Sequence, residues 1–158
     1  MGELLWESGK MFQLTAVSSV QYRGRILVVD QDDWCREFLS QVIKLGGFGD
    51  FNLASSVEEA EVLCEKLTFD LLIIDPNLPQ CLQWLEDMRQ RFPGTRLILM
   101  LKQRGQIHQI YHLEHLEIVI KPLSLDEMAR KIREAMQAKH RIKVEESFTR
   151  LKRETFRF

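Results

Sequence analysis

The segment FDLLIIDPNLP, residues 69–79, sets four large apolar residues in a row directly before an aspartate and a proline-bounded turn. A short unbroken apolar run between turn residues is how a strand covered on both faces is written, because alternation is lost when neither face meets water. The same pattern recurs upstream in RILVVD (25–30) and downstream in RLILML (96–101) and EIVI (117–120), and DFNLA (50–54) is a further strand-like stretch with polar residues between its apolar ones. Helix-compatible stretches separate these runs: 33–45, closed by Gly46-Gly47; 57–67, with Ser56 as N-cap; 82–92, stopped by Pro93-Gly94; and 106–116. A fifth helix starts after Ser124, where Ser124-Leu125-Asp126-Glu127 has the spacing of a capping box. Parallel strands joined by helices need right-handed crossovers, so the helices fall on both faces of the sheet and the functional crevice opens at the carboxyl ends of the strands.

The bulk numbers agree with one α/β domain. A length of 158 residues suits one core with appendages, and 45% apolar with 28% charged residues is an ordinary globular composition. A formal net charge of −1 gives no global field toward nucleic acid or an anionic membrane. Cys35, Cys64 and Cys81 are odd in number and form no CxxC, which argues for reduced thiols rather than a disulfide framework or zinc knuckle. No apolar run in the first residues is long enough for a signal peptide or membrane span, so a cytoplasmic location is expected.

Three strand ends bring charge to one edge: Asp30, with Asp32 and Asp33 just beyond it; Asp75; and Lys121. Gathered carboxylates repel one another unless a cation sits among them, and an oxygen-rich, partly hydrated site suits Mg²⁺. A lysine opposite them can hold an anion.

Three strings, ILVVDQDDWCR (26–36), DLLIIDPNLP (70–79) and VIKPLSLDEM (119–128), together resemble the response-regulator receiver family in order and spacing, over roughly residues 25–139. The resemblance implies a doubly wound five-stranded parallel sheet of flavodoxin-like order 2-1-3-4-5. It implies Asp75 as the phosphoacceptor, Lys121 as the phosphate-pairing lysine, and Asp30, Asp75 and the Asn77 backbone carbonyl as ligands of Mg²⁺. In that family a sensor histidine kinase supplies the phosphoryl group, and the modified surface then engages an output partner.

Several positions depart from the family pattern. Gln31 stands where the family has a second acidic metal ligand, which predicts weak Mg²⁺ binding; Asp32 could substitute only by turning its side chain inward. The family's phosphoryl-bonding hydroxyl falls on Leu101, its small neighbour on Lys102 and its aromatic switch on Ile118, so the usual switch lacks its parts. Pro76 follows the phosphoacceptor, and Gln80 and Gln83 replace glycines common after the Leu-Pro pair.

The resulting expectation is a receiver domain at 25–139, with an N-terminal extension at 1–24 and a C-terminal helical extension or linker at 140–158. Such a domain is not an enzyme beyond self-catalysed phosphoryl transfer to Asp75. It would act in signal transduction or transcription control mainly through protein contacts, with weak or absent Mg²⁺-dependent phosphorylation; the alternative is a working receiver phosphorylated on Asp75 by a sensor histidine kinase. Output contacts are expected from the fourth and fifth helices and the extension, where Val144, Phe148, Leu151, Thr155 and Phe158 recur at four and three residues as in a coiled-coil seam, and a homodimer is expected. No membrane contact and no direct nucleic-acid contact by this domain are expected. His108, His112 and His115 share a helical face whose spacing permits zinc, although a solvated face explains it as well; Tyr111 and these histidines are candidate partner contacts. Residues 11–17 alternate as an extra strand or docking arm would. A flavodoxin-like electron carrier has the same topology, but Asp30-Gln31-Asp32-Asp33 would repel the flavin phosphate.

Overall fold

The structure, a computed structural model, describes residues 23–105 and 116–155. Five parallel strands form one sheet: β1 (Gly24–Val29), β2 (Gly49–Ala54), β3 (Leu71–Ile74), β4 (Arg96–Leu101) and β5 (Leu116–Ile120). Their order is β2-β1-β3-β4-β5, the doubly wound, flavodoxin-like arrangement. The helices among the described residues are α1 (Asp33–Gly46), α2 (Val57–Lys66), α3 (Cys81–Arg91) and α4 (Leu125–Thr155).

Both faces of the sheet are covered, which is why its apolar runs are unbroken. On one face Leu27, Val29, Leu72, Ile74, Leu97, Leu99 and Leu101 pack under α2 and α3, through Ala60 and Cys64 of the former and Trp84, Leu85 and Met88 of the latter. On the other, Ile26, Val28, Leu71, Ile73, Ile98, Met100 and Val119 pack under Leu39, Val42 and Ile43 of α1 and Met128, Ile132 and Met136 of α4. Period-two alternation along each strand thus divides one apolar run between two cores.

Local chemistry fixes the helix ends. Asp32 caps α1 by accepting a hydrogen bond from the Trp34 N–H at 3.0 Å, and Gly47, at φ +64°, closes the helix with its N–H directed to the carbonyls of Ile43 and Lys44. The Ser56 hydroxyl accepts from the Glu59 N–H at 3.1 Å, and Ser124 does the same for Glu127 at 3.0 Å. Leu116 corrects the sequence expectation, because it pairs with Leu97 in β5 rather than ending a helix. The expected fourth helix otherwise lies outside the described residues, as do His108, Tyr111, His112, His115, residues 1–22 and Phe158. No helical break separates residues 139 and 140: α4 runs continuously for 31 residues.

Candidate functional site

One further ladder bond beyond each strand carries the chain to the site. The Asp30 N–H donates to Ala54 O at 3.1 Å, the Asp75 N–H to Val29 O at 3.1 Å, and the Lys121 N–H to Leu101 O at 2.8 Å. Three residues far apart in sequence therefore arrive at one rim with fixed backbones, and their side chains meet there. Lys121 Nζ lies 2.8 Å from Asp30 Oδ2 and 3.0 Å from Asp75 Oδ2. Both aspartates are buried, with 1% and 6% of their surface exposed, so the ammonium between them offsets a repulsion that water cannot screen.

The remaining carboxylate oxygens are also occupied. Asp30 Oδ1 accepts from the Asp32 N–H at 2.8 Å, and Asp75 Oδ1 accepts from the Asn77 N–H at 2.8 Å and its side-chain Nδ2 at 3.0 Å. Burial alone would lower the Lys121 pKa, but the hydrogen bonds to Asp30 and Asp75 outweigh it and hold the ammonium above its ordinary value. Two thiols flank the pocket. Burial first, then the Asp30 carboxylate, pushes Cys35 up to about 12; burial and then Asp75 push Cys81 up to about 12 as well. Both are protonated, inert groups at neutral pH.

Asp30, Asp75 and Lys121 thus converge as the sequence suggested, and Asn77 joins them through its N–H and side-chain amide. Gln31 is exposed at the same rim, beside a shallow cleft of about 510 Å³ that Arg36, Ser56 and Leu78 also line. The Asp32 side chain is engaged in capping α1 rather than turned into the pocket. Leu101 is fully buried in the core beneath α2 and α3. Lys102, the next residue, lies exposed beyond the end of β4. Neither residue brings a hydroxyl to the rim. Ile118 packs against the α2/α3 core.

Two features escaped the sequence reading. Arg36 donates to the Asp30 carbonyl oxygen at 2.6 Å and pairs with Asp33, which locks the start of α1 to the end of β1. The i,i+3 spacing of Asp33 and Arg36 was the available signal. Gln80 sits at φ +63°, a left-handed conformation that favours glycine, at the entry to α3. Its occupation of a position where the family often has glycine pointed there, although the conformation was not read.

The donors present fit a divalent cation in type, being the carboxylates of Asp30 and Asp75, but they are few. Among the described residues no group of three or more His, Cys, Asp and Glu side chains is placed to hold a metal ion. A hard cation would also have to compete with Lys121 for Asp30 and Asp75.

The response regulator receiver domain family matches the chain over residues 26–133. The chain belongs to that family. Solved receivers share the fold. The signal receiver domain of an HD domain-containing protein from Pseudomonas fluorescens is 23% identical, with a TM-score of 0.69 over 79% of this chain and 95% of that one. A CheY-like receiver domain protein from Methanospirillum hungatei is 22% identical, with a TM-score of 0.67 over 75% and 98%. A chemotaxis response regulator of Vibrio cholerae is 16% identical, with a TM-score of 0.65 over 72% and 98%. No curated protein matches the sequence. In this receiver the pocket lies where β1, β3 and β5 end. Among the described residues no helix is long and apolar enough to cross a membrane.

Proposed function

We propose that this receiver is an atypical member of its family that acts mainly through protein contacts in signal transduction or transcription control, with weak or absent Mg²⁺-dependent phosphorylation. The observation that carries the reading is the donor set at the rim, two buried carboxylates beside a neutral Gln31. All four carboxylate oxygens of Asp30 and Asp75 already have donors within the protein, two of them from Lys121. Position 31, an acid in the family, is a neutral glutamine, and Asp32 caps a helix instead of replacing it. The switch positions add to this: the hydroxyl and aromatic groups that would report a phosphoryl group are absent from Leu101, Lys102 and Ile118.

In this reading Asp75 is the phosphoacceptor position, Lys121 is the partner of any anion placed there, and Asp30, Asp75 and the Asn77 carbonyl hold Mg²⁺ weakly. Bound Mg²⁺ would supply charge screening between the acids and an incoming phosphoryl group. Output runs to an effector through the last helix and the segment 106–116. Three free, buried thiols fit a cytoplasmic location. The competing reading, a receiver phosphorylated on Asp75 by a sensor histidine kinase, draws on the intact Asp75–Lys121 contact at 3.0 Å. Incubation with acetyl phosphate and saturating Mg²⁺, followed by intact-mass measurement beside an Asp75→Asn control, decides between them. The expected result is no stoichiometric adduct. A stoichiometric phosphoryl adduct on the wild type that the control lacks would overturn the proposal in favour of the competing reading.

A further inference from the structure

The last helix changes its surroundings part-way along. Met128, Ile132, Ala135 and Met136 of α4 are buried against the sheet, whereas Val144, Phe148 and Leu151 are 51%, 64% and 58% exposed. At about 100° per residue, the second set lies roughly 140° round the helix from the first. The apolar stripe has switched faces, so packing against this domain's own sheet does not account for it. The extension is also anchored in direction. Lys139 Nζ donates to Gly94 O at 2.7 Å, and Lys143 Nζ reaches Asp70 Oδ1 at 3.3 Å.

We propose that a second copy of this chain covers that face, with the two α4 extensions running antiparallel. The spacing of four and then three residues makes Val144, Phe148 and Leu151 successive d, a and d positions of a helical pair. Glu145 and Lys152 are then both e positions, which face each other across an antiparallel pair. Each Glu145 meets Lys152 of the second copy, and two-fold symmetry makes the contact twice. A parallel pair would forgo both contacts and set Arg141, the preceding a position, against its own counterpart. Charge therefore selects a second copy and also the direction in which it lies. The inference extends the contact-module reading and rests on it only in treating α4 as an output surface.

Sedimentation velocity of the full chain over about 10 µM to 1 mM tests the proposal, since three exposed side chains per copy support only a weak dimer. The wild type is expected to pass from monomer to dimer across that range, and Phe148→Glu to stay monomeric with unchanged far-UV circular dichroism. Glu145→Lys turns two attractions into two repulsions and should weaken the dimer about tenfold; adding Lys152→Glu in the same chain should restore it. A wild type that stays monomeric throughout overturns the proposal and leaves the face to a different protein. A dimer that survives Phe148→Glu overturns the seam, and failure of the charge swap to restore association overturns the antiparallel direction. The assay contains no phosphodonor, so its outcome is separate from the labelling of Asp75.

Discussion

Replacing Lys121 by methionine keeps the length of the side chain and removes the ammonium that bridges Asp30 Oδ2 at 2.8 Å and Asp75 Oδ2 at 3.0 Å. The two carboxylates left behind are 2% and 9% exposed at their side chains, so neither water nor salt can take over the role of the lysine. Stripping one member from a buried ion pair costs about 3–5 kcal/mol, mostly as the penalty of the uncompensated charge. For a chain of this size that is a fall of about 6–20 °C in Tm. The wild-type contribution of Lys121 follows from its raised pKa: it is fully present below the ordinary lysine value of 10.5 and is lost only as pH rises through the higher folded value. Neutral pH therefore shows the whole effect. Urea denaturation at several pH values measures it, with the triple variant Asp30→Asn/Asp75→Asn/Lys121→Met as the isosteric control that recovers most of the loss. A loss below about 1 kcal/mol at neutral pH would refute the reasoning, since the backbone donors to Oδ1 would then suffice to hold both carboxylates.

Restoring the missing acid with Gln31→Asp should give the pocket a third anionic donor; Mg²⁺ at tenfold excess over its Kd would then stabilise the variant by about 1.4 kcal/mol, read as a Mg²⁺-dependent rise in Tm that Asp75→Asn cancels. Gln80→Gly should stabilise the chain by about 0.5–1 kcal/mol in urea denaturation, because glycine removes the left-handed strain at φ +63° at a smaller entropic cost. Arg91 holds Glu61 below its ordinary pKa through two hydrogen bonds, at 2.7 and 2.9 Å, burial opposes it and Trp84 Nε1 adds a third bond at 2.8 Å. With Arg91 partly exposed, Glu61→Gln should cost only about 0.5–1 kcal/mol. That contribution exists above the ordinary value of 4.5 and disappears as pH falls through the lower folded value, so wild type and variant should differ in urea midpoint at neutral pH and converge in acid.

The strands were legible because each is a local apolar run, and the sheet rim was legible because parallel strands deliver their carboxyl ends to one side. Asp30, Asp75 and Lys121 could be grouped on that basis although 45 and 46 residues separate successive members. Fates set by orientation were less legible. Leu101 and Lys102 are neighbours in sequence, yet the strand register sends one into a core and leaves the other exposed at the rim. Asp32 reads as a spare ligand beside Asp30, but the start of α1 engages its oxygen first. Leu116 closes a helix-compatible stretch in the sequence, yet its pairing with Leu97 makes it the start of β5.

Periodicity, caps and strand-end chemistry act over a few residues, so the order of residues specifies the αβ alternation, the helix starts at Ser56 and Ser124, and the charged rim. Which oxygen each donor reaches, which face of the sheet a side chain enters, and where the stripe of α4 turns away from its own domain depend on elements brought together from across the chain. Those outcomes are long-range contacts, and only the folded arrangement selects among the partners that local sequence leaves open.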